Sequence, residues 1–114
     1  MRQINVERFK AARRSVIELG SHKITITRPT PWDIAMSQEN GGRPDITWAA
    51  GYVIDWDFQE IDLIPGGDPE PVAFNTAVFC DWIKDFPQHW GTLINGVIGA
   101  YQAYESALEA RGNV

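Results

Sequence analysis

The order of apolar and polar positions splits the chain into a β-forming front and a helical back. Ser15-Val16-Ile17-Glu18-Leu19 and His22-Lys23-Ile24-Thr25-Ile26-Thr27-Arg28 are β-branched and partly alternating, with Gly20-Ser21 between them. Alternation on both sides of a short glycine-containing break predicts a β-hairpin. Its pleat turns Ile24 and Ile26 toward a core and Lys23, Thr25 and Thr27 toward water. Ahead of it, Asn5 is placed to cap a helix from Val6 to about Arg14. After it, Thr30-Pro31-Trp32-Asp33 has the composition of a helix start, and Asn40-Gly41-Gly42 stops that helix. Asp45 caps a further helix, Ile46 to about Ile54. Residues 55–73 read as irregular, with Ile61-Asp62-Leu63-Ile64 as a short strand and Pro65 to Pro71 as a loop.

The last third carries the clearest pattern. Asn75 caps a helix that runs to about Lys84, and Phe74 and Phe79 have the spacing of a hydrophobic staple. Asp85 is expected to cap the final helix, with Pro87 in its first turn. Trp90, Leu93, Ile94, Val97, Ile98, Tyr101, Tyr104 and Leu108 follow in steps of three and four, which is one helical face. Gly112 ends it. Gly91, Gly96 and Gly99 inside this helix each cost about 1 kcal/mol against alanine, so they predict close packing against a neighbour, a break, or tolerated positions in a packed helix. The pattern as a whole predicts a mostly helical α+β single domain over residues 1–114, with a small N-terminal β-hairpin and residues 1–14 as a helical or flexible arm.

Composition supports a folded domain. The chain has 114 residues, 44% of them hydrophobic and 11% aromatic, and a chain of this size buries roughly two thirds of its unfolded surface. A lone cysteine, Cys80, points to a reducing compartment. The N-terminus lacks the apolar run of a signal peptide, and no apolar run approaches the ~18 residues of a membrane span. A cytoplasmic protein without membrane contact is expected. The net charge of −5 is unevenly distributed. Residues 1–28 carry seven basic against two acidic side chains, a net +5. The remainder carries three against thirteen, a net −10. Such charges either neutralise each other within one compact monomer or, where they lie on different faces, favour association between copies, with Arg8, Arg13, Arg14, Asp55, Asp57 and Glu60 as the candidate residues. A head-to-tail contact that does not close gives a spiral array.

Catalytic and ligand motifs find little support. His22, His89 and Cys80 form no zinc-binding spacing. Asp55-Trp56-Asp57-Phe58-Gln59-Glu60-Ile61-Asp62 alternates carboxylates as a calcium loop does, but Glu60 and Gly66 stand where glycine and glutamate are required. Cys80 lies beside Asp81, which disfavours a thiolate, and no nucleophile elbow or phosphate loop is present. Arg8-Phe9-Lys10-Ala11-Ala12-Arg13-Arg14 has the charge for nucleic acid, yet the acidic remainder repels a polyanion. No enzyme, cofactor, metal or nucleic-acid function is therefore expected. Five tryptophans, Trp32, Trp48, Trp56, Trp82 and Trp90, exceed what so short a chain readily buries, and part-exposed indoles favour protein interfaces. Trp32, Trp56, Trp82, Trp90, Tyr101 and Tyr104 are the candidate partner-binding residues.

Several landmarks of the second half occur in this order: Asp55-Trp56-Asp57, Ile64-Pro65-Gly66-Gly67, Pro71-Val72-Ala73-Phe74-Asn75, and a helix pair broken at Phe86-Pro87. With the β-rich front, this resembles the tail assembly chaperones of long-tailed bacteriophages over about residues 15–108. The resemblance implies a non-catalytic protein that binds the tape-measure protein and tail-tube subunits in the host cytoplasm. It also implies self-association and absence from the finished virion. Two other classes are open to the same residues. One is a virion structural protein such as a head–tail connector or tail-completion subunit. The other is a small acidic inhibitor of a host enzyme, suggested by the Asp55–Glu70 run.

Overall fold

Each helix of the front half begins where a short polar side chain replaces a missing backbone partner. In the computed structural model, which describes residues 1–112, Asn5 Oδ1 accepts from Arg8 N–H at 3.1 Å and opens α1 (Val6–Ala11). At α2 (Pro31–Glu39), Thr30 Oγ1 accepts from Asp33 N–H at 3.2 Å, and Asp33 Oδ2 accepts from Thr30 N–H at 3.0 Å. This reciprocal box satisfies two otherwise orphan donors. Asp45 Oδ1 accepts from Trp48 N–H at 2.9 Å at the start of α3 (Ile46–Ala50).

The hairpin forms as its alternation predicts. Strands β1 (Arg14–Leu19) and β2 (His22–Thr27) pair antiparallel, with Leu19 opposite His22 and Ile17 opposite Ile24. Gly20 takes φ +62° in the two-residue turn, and Ser21 does not share the positive φ. Glycine at the first central position is what a type II′ turn demands. Ile24 and Ile26 are fully buried, and Lys23 is exposed.

Four local expectations are corrected. α1 stops at Ala11 rather than about Arg14, because Arg13 C=O is drawn into the sheet, accepting from Arg28 N–H at 2.8 Å. α3 stops at Ala50, and Val53–Trp56 is a third strand, β3, antiparallel to β2 in the sheet order β1-β2-β3. Residues 60–63 form a helical turn, α4 (Glu60–Leu63), instead of a strand; Asp62 Oδ2 accepts from Gln59 N–H at 2.7 Å and fixes its start. Asp85 ends α5 (Thr76–Lys84) rather than capping the last helix, and Pro87–His89 make a 3₁₀ turn that leads into α6 (Trp90–Ala110).

The core lies where one sheet face meets α3, α5 and α6. Ile17, Leu19, Ile24, Ile26, Val53 and Trp56 from the sheet close over Ala49, Ala50, Phe79, Ile83, Leu93 and Val97. Gly96 lets α6 approach β1: a Cβ there would lie 2.5 Å from Ile17 Cδ1. Gly91 and Gly99 have open space beside them, so only Gly96 serves close packing. The dimensions are 53 × 39 × 22 Å with a radius of gyration of 16.1 Å. A compact chain of this length has a radius near 13 Å. The excess comes from the ends, since α1 contains no buried residue and α6 has none after Val97.

Candidate protein-binding surface

The six aromatic candidates fall into two environments. Trp56 and Trp82 belong to the core, at 9% exposure each, and the expectation that they face a partner is corrected. Trp56 lies parallel to Phe58, with ring centroids 4.9 Å apart, and its Nε1–H donates to Val72 C=O at 2.8 Å. Trp82 packs edge-on against Phe58 at 4.7 Å and stacks on Phe86 at 4.4 Å. Its Nε1 is buried and finds no acceptor among the described residues. Trp90 is half-buried, and its Nε1–H donates to Ile83 C=O at 2.7 Å, pinning the start of α6 to α5. Phe74 and Phe79, 6.5 Å apart, keep the staple arrangement, and Asn75 caps α5 by accepting from Val78 N–H.

The other three are less enclosed: Trp32 on α2, and Tyr101 and Tyr104 on the outer part of α6. Trp32, in the first turn of α2, is 73% exposed. Pro31 beside it lines a shallow groove of about 220 Å³ with Tyr101, Tyr104, Glu105, Leu108 and Glu109 of α6. Arg28 lies over one of these rings, its guanidinium carbon 3.6 Å from the Tyr104 ring centroid. That cation–π contact holds the outer part of α6 against the turn between β2 and α2. The Tyr101 phenol is shifted to higher pKa by partial burial and by the Glu105 carboxylate beside it. Arg28 was not among the sequence candidates, because nothing in the linear pattern places it beside Tyr104.

The charged candidates lie at opposite edges of the sheet. Arg14 begins β1, Arg8 lies on α1, and Arg13 sits over the Phe9 ring at 4.9 Å in the turn between them. Asp55 is on β3, and Asp57 follows it. No ion pair links Arg8, Arg13 or Arg14 to Asp55, Asp57 or Glu60 among the described residues. The carboxylates are used locally instead. Asp55 Oδ1 accepts from Trp56 N–H, and Glu60 Oε1 from Asp68 N–H. Asp57 and Asp62 lie 3.6 and 3.7 Å from the two nitrogens of His22. Among the described residues, no three His, Cys, Asp or Glu side chains are gathered so as to hold a metal ion. No described helix is long and apolar enough to cross a membrane. Cys80 is half-buried on α5 beside Ile46, Thr47, Ala50 and Ile83. No family model, curated protein or solved structure matches this chain.

Proposed function

We propose that this is a non-catalytic binding protein that acts as a tail assembly chaperone of a long-tailed bacteriophage. In this reading it holds a helical segment of the tape-measure protein, together with tail-tube subunits, in the host cytoplasm and leaves before the virion is complete. The observation that supports the reading is the groove between α2 and the outer part of α6. Tyr101, Tyr104 and Leu108 offer aromatic and aliphatic area there, with the exposed Trp32 next in sequence to the groove's Pro31, and side chains of this kind dominate binding energy at protein interfaces. Glu105 and Glu109 border the groove, which favours a partner helix whose apolar stripe is flanked by lysine or arginine. Glu60 and Asp62 are half-buried and hydrogen-bonded within their own segment, so of the acidic run only Asp55, Asp57, Asp68 and Glu70 are presented outward for the acidic-inhibitor reading.

Co-expression with neighbouring gene products, then pull-down and mass spectrometry, tests the proposal. The expected result is capture of a long helical protein, lost when Trp32 and Tyr101 are both replaced by alanine. Presence of the chain in purified particles would instead make it a virion structural protein.

A further inference from the structure

The free edge of the sheet has a self-complementary order of side chains. The hydrogen bonds of β2 show which main-chain groups of β1 are unused. Thr27 N–H donates to Tyr52 C=O at 2.9 Å, and Asp57 N–H donates to Lys23 C=O at 3.1 Å. Lys23, Thr25 and Thr27 thus direct their backbone groups toward β3, while His22, Ile24 and Ile26 direct theirs toward β1. Their partners Leu19, Ile17 and Ser15 are the β1 residues bonded within the hairpin. The N–H and C=O groups of Arg14, Val16 and Glu18 therefore point outward along the edge. No main-chain or side-chain hydrogen bond from outside the sheet reaches them among the described residues. Their side chains are exposed too, with Val16 at 63%.

We propose that two copies of this chain join through β1, antiparallel, about a twofold axis at Val16, so that the two sheets become one. In this register Val16 meets Val16 of the second copy, and Arg14 sits opposite the partner's Glu18 on each side of the axis. The three opposed pairs are all of the hydrogen-bonded kind, each exchanging two N–H···O bonds, because all three residues present outward groups. A slip of one residue opposes outward groups with inward ones. A slip of two sets Arg14 or Glu18 against Val16 and loses both charge pairs. Side-chain charge, backbone parity and the apolar centre thus select the same register. An uncovered strand edge is otherwise an aggregation hazard, and an isologous contact closes it.

The alternative is β1 on the β3 edge of the next copy, an open array that the opposed charges invite. The structure disfavours it. Residues 70–72 run back along 58–60, with Val72 N–H donating to Phe58 C=O and Glu60 N–H to Glu70 C=O, and so occupy the edge beyond β3. What remains is a four-residue strand whose pairing with β2 shifts register between Thr25 and Ile26. The proposal concerns a second copy of the chain and stands whether or not the groove at α2 and α6 binds a tape-measure helix.

Sedimentation equilibrium on the full chain tests it. The parent protein is expected to be a dimer that does not grow further with concentration. R14E and E18R each place like charges opposite one another twice, and each should weaken the dimer by roughly tenfold or more. Both sites are exposed, so circular dichroism should show an unchanged fold. An equimolar mixture of R14E and E18R should dimerise again, since every carboxylate then faces a guanidinium. The double variant R14E/E18R should match the parent for the same reason. A monomeric parent, growth beyond the dimer, single variants that still dimerise, or a mixture that stays monomeric would each overturn the proposal.

Discussion

The aromatic centre and the outer part of α6 use similar side chains in opposite ways. At the centre, Phe58 is 1% exposed and Phe79 fully buried, and both touch Trp56 and Trp82. These rings come from β3, the segment after it and α5, so several elements enclose each of them. On the outer α6, the half-buried Tyr101 and Tyr104 pack on each other and meet the turn that carries Arg28 and Pro31. The number of elements that converge on an aromatic residue decides whether it holds the fold or remains available to a partner.

The sharpest way to break this distinction is truncation. Phe79→Ala should cost about 3–5 kcal/mol, because the surrounding rings cannot collapse fully into the space left. Trp32→Ala, at 73% exposure, should stay within about 0.5 kcal/mol of the parent. Urea unfolding of the two variants compares them directly, and equal costs would erase the difference between the regions.

Two of the three glycines of α6 refine the comparison within one helix. Gly99 has open space beside it, so Gly99→Ala should add up to about 1 kcal/mol through helix propensity. Gly96→Ala must push Ile17 away from its seat on β1, so it should rank about 1–2 kcal/mol below Gly99→Ala. Thermal melts of both single variants are enough to order them.

Smaller still is the contact that holds the outer helix. Arg28→Met keeps much of the aliphatic stem but removes the cation over Tyr104, and should cost about 0.5–1 kcal/mol. Hydrogen exchange should rise at residues 100–110 and stay level at 90–97. A uniform rise would mean that the outer helix is not a separate region.

The least effect concerns Tyr52, half-buried between α3 and β3. Its phenol is pushed up to about 12, first by burial and then by the Asp33 carboxylate to which it hydrogen-bonds. A raised folded-state pKa means the contribution is complete below the ordinary value of 10.0 and is lost as pH climbs through about 12. Tyr52→Phe should therefore show a shallower loss of stability than the parent between those pH values. Identical slopes in alkaline denaturation would remove Tyr52 from the account.

By itself the sequence determined the hairpin, the starts of α1, α2, α3 and α5, and the apolar stripe of α6. Each of these depends on neighbours a few residues apart: a capping oxygen and its N–H, a period of two, or a period of three and four. The chain's local pattern also singled out Trp32, Tyr101 and Tyr104. Tertiary structure decided the rest. β3 was hidden because its pairing with β2 shifts register, leaving Val53 and Trp56 buried and Ile54 and Asp55 exposed, which is not a period of two. α4 replaced a short strand because Asp62 could cap Gln59 N–H, a local option that four apolar-rich residues do not advertise. The fates of Trp56 and Trp82 depended on Phe58 and Phe79 arriving from other elements. The meeting of Arg28 with Tyr104 depended on where α6 crosses the sheet. Burial and cross-element contact are set by the whole fold, whereas caps and periodicity are set within one turn of chain.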